Sequence, residues 1–131
     1  MSNSELKKVI TTDNAPKAIG PYSVAIKLGS LVFTSGQVGI NPQTGEIVTG
    51  GIEAETRQVL TNVKHVLEAA GTSMGQVVKT TVFLQTMADF SAMNAVYAEY
   101  FPDDPPARST IAVAGLPKGA LVEIETIATT E

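Results

Sequence analysis

The chain contains no cysteine. That excludes a disulfide framework, a Cys-ligated zinc or iron–sulfur site, and a thiol nucleophile. One histidine is too few for a His-based metal site, and it leaves a Ser/His/Asp arrangement poorly supplied. Charged residues make up 17% of the chain, below the ~25% usual for soluble domains. Hydrophobic residues make up 44%. This is the balance of a globular chain that is poor in charge for a solitary monomer, and it points weakly to self-association. Nine Lys and Arg against thirteen Asp and Glu give a net charge of −4. That balance argues against binding nucleic acid through its phosphates, although a local basic patch is compatible with it. No apolar run approaches the ~20 residues of a membrane span. The segment Met1-Ser-Asn-Ser-Glu-Leu-Lys-Lys8 lacks the apolar stretch of a secretory signal, so the expected location is the cytoplasm. At 131 residues, a single domain over 1–131 is expected.

Glycine and proline fall as short punctuation between periodic segments, with no repeat and no linker. The first third reads as strands over Lys8–Thr12, Tyr22–Leu28 and Leu31–Ser35, with Gly29-Ser30 as a two-residue turn. Asn41-Pro-Gln-Thr-Gly45 has loop chemistry, and Gly50-Gly51 marks a break. The 3.6-residue period then predicts a helix over Ile52–Ala70. Ile52, Val59, Val63, Val66, Leu67 and Ala70 form its inner face, and Glu55, Arg57, Lys64 and Glu68 its outer one. Val77–Leu84 reads as a strand with Val78, Val82 and Leu84 on one face. A second helix is expected from an N-cap at Asp89 to a stop at Pro102, with Phe90, Met93, Tyr97, Tyr100 and Phe101 inward. Two strands close the chain, Ala107–Ala114 and Leu121–Thr129. The economical solution is an α+β fold, one sheet with both helices on a single face. Its other face then needs a cover, and oligomerisation is the usual one.

Strand alternation puts Ser109, Ile111 and Val113 on one face and Arg108, Thr110 and Ala112 on the other. It likewise separates Val122 and Ile124 from Glu123 and Glu125. If the β-branched residues face the helices, Arg108 and Glu123 both point away from them. Such an Arg and Glu read either as an ion pair fixing register or as a guanidinium fork for a carboxylate ligand beside an acid/base Glu. Spacing alone favours the ion pair.

The stretch Pro105-Pro-Ala-Arg-Ser-Thr-Ile-Ala-Val-Ala-Gly-Leu-Pro-Lys-Gly-Ala-Leu-Val-Glu-Ile-Glu125 shifts that weighting. It resembles the C-terminal signature of the Rid family, the reactive intermediate deaminases also called the YjgF family. Ala18-Ile-Gly-Pro-Tyr-Ser23, Thr34-Ser-Gly-Gln37, Val78-Lys-Thr-Thr-Val-Phe83 and Asn94-Ala-Val-Tyr97 resemble it too, in order and spacing. The nearest likeness is to the RidA subgroup, the 2-iminobutanoate/2-iminopropanoate deaminases, which is recognised by an Arg in the position of Arg108. The resemblance implies a chorismate-mutase-like fold assembled as a homotrimer, uncovered sheet faces inward and clefts between subunits. It also implies roles for single residues. Arg108 would fork onto a substrate carboxylate, and Glu123 would position or activate water. Tyr22 would line the cleft, Gly36 would offer backbone contacts, and Asn94 would sit close by. Many members carry Cys where this chain has Thr110; contact there runs largely through backbone, so Thr can serve, and no thiol activity is available. Val24 stands where Gln is common, with no functional reading.

The implied substrate is a 2-imino acid, hydrolysed to a 2-keto acid and ammonia without metal or cofactor. Two alternatives remain: an endoribonuclease or translation-inhibitor type of protein, and a non-catalytic regulator that binds small carboxylates in the same cleft. Taken without the resemblance, Tyr22 is a packed strand-edge aromatic, Gly36 a strand-end bend and Asn94 a helix-surface amide. Ser35 has no His partner. His65 is a partly exposed helix residue.

Overall fold

The computed structural model describes residues 6–131; residues 1–5, part of the stretch read above for a leader, lie outside it. The strands are β1 (Lys7–Ile10), β2 (Ala25–Leu28), β3 (Leu31–Thr34), β4 (Gln37–Val38), β5 (Val77–Leu84), β6 (Ala107–Ala112) and β7 (Val122–Thr129). The helices are α1 (Gly51–Ala69) and α2 (Phe90–Tyr100). They form the single sheet and helix pair that the element order predicts, and the sheet is mixed. The sheet runs β1-β2-β3-β7-β5-β6, and β4 pairs with β7 beyond the end of β3. Only β5 and β6 are parallel, because α2 is the crossover between them.

Both helices pack on one face. Val59, Leu60, Val63, Val66 and Leu67 of α1 and Met93 and Tyr97 of α2 meet Val32, Val82, Leu84, Val122, Ile124 and Ala128 in one buried cluster. Helix α1 ends at Ala70 and turns through Gly71, whose φ of 85° requires a residue without a Cβ penalty. Helix α2 starts at the expected place, with Asp89 in the N-cap position, but its entrance is built differently. Asp89 makes no side-chain cap; a 3-10 turn over Met87–Asp89 precedes the helix, and Thr86 accepts from the Ala88 amide. A one-residue bulge between Val77 and Lys79 also alters β5. It turns Val78 outward, 49% exposed, instead of into the core with Val82 and Leu84.

Two buried polar residues of α1 tie down the chain at β4 and at the entrance of β7. Asn62, fully buried, donates through Nδ2 to the Val38 and Ile40 carbonyls at 3.2 and 2.9 Å, and accepts from Gln58. Glu55, expected on the solvent face, is buried, and its Oε1 accepts from the Leu121 amide at 2.9 Å, just before β7. The helical period assigned it outward, but an amide at the mouth of β7 needs an acceptor that water does not reach.

The other sheet face carries no helix. By register, Val9, Leu28, Leu31, Phe33 and Ile111 share it with Phe83, Glu123 and Glu125, and the first five are each more than a third exposed. Replacing Asn62 with Leu takes the donor from the Ile40 carbonyl, while the Val38 carbonyl keeps the Ile40 amide at 2.8 Å. The expected loss is about 1–3 kcal/mol, read as a lower urea midpoint at unchanged slope.

Candidate active site

The residues singled out from the sequence fall into two groups, each built on its own part of the fold. Tyr22, Gly36 and Glu123 line one cleft, together with Ser35, Lys17 and Lys118. Asn94 and Arg108 line another, together with Tyr97, Phe101 and Pro106.

The first group depends on a bulge. Phe33 pairs with Ile127, and Gln37 pairs with Ile124, so the chain between them carries one residue more than β7 does. The extra residue breaks the ladder at Thr34–Gly36. The Thr126 amide turns to the Thr34 hydroxyl instead, at 3.0 Å, and the two threonine hydroxyls lie 2.9 Å apart in the core. Ser35 fastens the preceding loop: its amide donates to the Val24 carbonyl and its hydroxyl to Ser23, at 2.9 and 2.6 Å. Tyr22, 47% exposed, is thereby held at the cleft. Gly36 lies directly beneath the Glu123 side chain. A Cβ there would stand 2.5 Å from Glu123 Oε2 and 2.8 Å from its carboxyl carbon. Glycine is needed for close approach of a side chain, since its φ is not positive.

Glu123 points away from the helices, as alternation predicts. It is half-buried, and its carboxyl is pushed above the ordinary value, first by desolvation and then by repulsion from Glu125.

Arg108 is on the opposite face from the one expected. It pairs with Thr80 across β5 and β6, and Thr80 is fully buried toward the helices. The expectation rested on β-branched residues packing inward. On the edge strand β6 the reverse holds: Ile111 is 48% exposed on the open face. The guanidinium lies against α2. Its NH1 donates to Asn94 Oδ1 at 2.7 Å, and its Cζ stands 4.8 Å from the Tyr97 ring centroid and 5.6 Å from that of Phe90. Such ring contacts contribute about 0.5–2 kcal/mol, depending on desolvation. No carboxylate lies within ion-pair distance of Arg108 among the described residues; the one salt bridge there is the exposed Arg57–Glu99 pair. The register-fixing Arg108–Glu123 pair is therefore not formed within the chain.

Thr110 shares the Arg108 face, and its Oγ1 is buried without a hydrogen-bond partner. Asn94 is the partner of Arg108, not a helix-surface amide. His65 is on α1 with Nδ1 2.9 Å from the Asn14 carbonyl, apart from both groups. Tyr97 and Glu55 were read from the sequence as core and as solvent face respectively; the signal each lacked is its polar partner, which is remote in sequence. Among the described residues, no cluster of three or more His, Asp or Glu side chains could hold a metal ion. No helix of the described residues is long and apolar enough to cross a membrane.

A family model described as Endoribonuclease L-PSP matches residues 12–130. A protein of Dermatophagoides farinae named 2-iminobutanoate/2-iminopropanoate deaminase is 50% identical over 125 residues, 95% of this chain and 98% of that protein. The crystal structure of the YjgF gene product of E. coli superposes with a TM-score of 0.91 at 47% identity, over 95% of this chain and 99% of that one. E. coli TdcF with bound serine gives 0.91 at 46% identity, over the same shares of the two chains.

The Glu123 titration can be checked by carboxyl NMR. Its midpoint is expected above the ordinary value of 4.5, and Glu125→Gln is expected to lower it. The sign for stability follows. The fold favours the protonated form, so this group's contribution is present below the ordinary range and is lost as pH rises through the folded-state midpoint. A midpoint unmoved by Glu125→Gln would show that the neighbouring charge does not act.

Proposed function

The chain belongs to the endoribonuclease L-PSP family, the Rid family of the five sequence blocks, and from that membership we propose that it is an imine deaminase. It hydrolyses 2-imino acids such as 2-iminobutanoate and 2-iminopropanoate to 2-keto acids and ammonia, as a cytoplasmic homotrimer folded as one domain over 1–131. The observation that carries the reading is the state of Arg108. Its guanidinium is fixed by an amide and two aromatic rings, and no acid of the described chain neutralises it. A partly buried, oriented fork of that kind matches a planar carboxylate. The serine bound by TdcF carries such a carboxylate.

In this reading the substrate carboxylate takes two charge-assisted bonds from Arg108, at roughly 1.5–3 kcal/mol each. The C=N carbon is then presented to Glu123. Water adds to the carbon of the protonated imine as one water proton passes to the Glu123 carboxylate, giving a tetrahedral amino alcohol. The carboxyl returns that proton to nitrogen, the C–N bond breaks with its electron pair leaving as ammonia, and the hydroxyl passes its proton to the Glu123 carboxylate as it becomes the keto oxygen. A carboxyl raised above its ordinary value is a stronger base and a better match for returning the proton near neutral pH. Gly36 and Tyr22 form the floor and side of this half of the cleft, and Asn94 steadies the fork. Thr110 lies beside Arg108 on the inner face of β6.

Arg108 and Glu123 stand on opposite faces of one sheet, so a single protomer does not bring them onto one ligand. The proposed trimer supplies the missing half: the Arg108–Asn94 half of one copy faces the Tyr22–Gly36–Glu123 half of the next, and the apolar open face is covered in the same step. The family's description names an endoribonuclease. The net charge of −4 and the position of His65 away from both groups favour the imine reaction.

Release of 2-oxobutanoate from imine generated in situ tests the proposal. Arg108→Ala is expected to lower kcat/KM by roughly 10²–10⁴, the equivalent of two charge-assisted bonds, while the protein stays folded and associated. Full activity in that variant would overturn it. Gly36→Ala is expected to displace the Glu123 carboxylate and cost roughly 10² in rate. Its folding midpoint should change little, because the three atoms displaced, Glu123 Oε2, Cδ and Cγ, belong to a flexible side chain and none to backbone.

A further inference from the structure

We propose that Tyr97 and Thr80 form a positioning pair that sets the orientation of Arg108. The inference rests on the carboxylate-binding reading of Arg108 and adds how that side chain is held.

Phe90, Asn94 and Tyr97 lie at spacings of four and three along α2, so they share one helix face, and that face carries every contact described for the guanidinium. Asn94 fixes one nitrogen and so restrains distance. One hydrogen bond leaves rotation about that contact open, and a flat surface is what stops it. The nearer flat surface is Tyr97, at 4.8 Å.

The Tyr97 ring is itself immobilised on two sides. Phe101 stacks against it with centroids 4.7 Å apart at 41°. Its hydroxyl shares a 2.8 Å hydrogen bond with Thr80 Oγ1 in the core. Thr80 is also the residue paired with Arg108 across β5 and β6, with both side chains toward α2. The contacts therefore close a loop from Arg108 to the Tyr97 ring, from its hydroxyl to Thr80, and from Thr80 across one strand back to Arg108. Such a loop couples the plane of the guanidinium to the sheet itself. Packing alone does not account for the hydroxyl. A phenylalanine would fill the same space without placing a polar atom beside fully buried Thr80.

Four variants and two measurements test this. Tyr97→Leu removes the ring face; Tyr97→Phe and Thr80→Val remove one end of the hydrogen bond; Thr80→Ser keeps the hydroxyl. The first measurement is the Arg108 side-chain Nε–H signal by NMR, which reports guanidinium rotation with no ligand present. Restricted rotation is expected in the wild type and Thr80→Ser, and faster rotation in the other three. The second is the Kd for 2-oxobutanoate against that for its uncharged amide. Tyr97→Leu is expected to weaken the acid about tenfold and leave the amide unchanged. Thr80→Val and Tyr97→Phe should lie between, and Thr80→Ser near the wild type.

A guanidinium signal unchanged in Tyr97→Leu overturns the inference, and so does equal weakening of acid and amide. If Tyr97→Leu fails to fold, the Thr80→Val and Thr80→Ser comparison decides by the same criteria. If Arg108→Ala binds 2-oxobutanoate as well as the wild type, the carboxylate reading fails; the NMR result then still decides whether Tyr97 holds Arg108.

Discussion

Both helices cover the same side of the sheet, and the treatment of each polar group follows from which side it is on. On the covered side, a polar atom depends on a partner within the protein, and among the described residues Thr56 Oγ1 and Thr110 Oγ1 are the buried side-chain atoms without one. Thr34 meets Thr126, Thr80 meets Tyr97, Asn62 meets two carbonyls, and Arg108 meets Asn94. On the open side, charge is tolerated without an opposite charge: Glu123, Glu125 and Lys79 share that face with no salt bridge among them, and Lys79 donates to the Ser109 hydroxyl at 3.1 Å. The two residues proposed to share one reaction thus occupy different solvents. One is a cation oriented by rings, and the other is a carboxyl made more basic by partial loss of water.

Element type was legible wherever a long period ran unbroken. The 3.6-residue repeat of Val59, Val63, Val66 and Leu67 located α1, and the Val/Thr run of β5 was assigned with its observed bounds. Places where the period failed are places where one residue was inserted or one partner was remote. The bulge at Val78 shifts the alternation by one, and nothing in the local sequence marks it. Glu55 fits a polar face by position, but its acceptor role is set by an amide sixty-six residues away. Asp89 occupies the N-cap position expected of it, yet its side chain makes no cap bond, and the side-chain cap belongs to Thr86, which opens the 3-10 turn just before the helix. Arg108 was assigned to the wrong face because a rule for central strands was applied to an edge strand. There the long polar side chain of Arg108 lies against Phe90, Asn94 and Tyr97 of α2, while Ile111 is on the open face.

The residues of the candidate site were legible through resemblance, whereas their grouping was not. Tyr22, Gly36 and Glu123 come from three separated segments, and Asn94 and Arg108 from two more. What joins the first three is the bulge between β3 and β4. It moves the backbone at Gly36 close enough to Glu123 that no Cβ fits between them. A bulge beside a functional group re-aims a side chain without altering the rest of the ladder. Asn62 and Glu55 fix the chain next to it, by binding the Val38 and Ile40 carbonyls at the end of β4 and the Leu121 amide before β7.

The division of the site between two faces has a consequence for how activity and assembly relate. A group proposed to bind a carboxylate and a group proposed to activate water cannot act on one ligand from opposite sides of a sheet. Folding one chain completes neither the site nor the burial of Phe33, Ile111 and their neighbours. If association joins the two halves, the same contact that removes apolar surface from water also excludes water from the cleft. There a charge-assisted bond to Arg108 is worth more than it is in bulk solvent. Rigidity before association then becomes an advantage. A guanidinium already fixed by Asn94 and Tyr97 loses little freedom when the neighbour arrives, so less of the binding free energy is spent on ordering it.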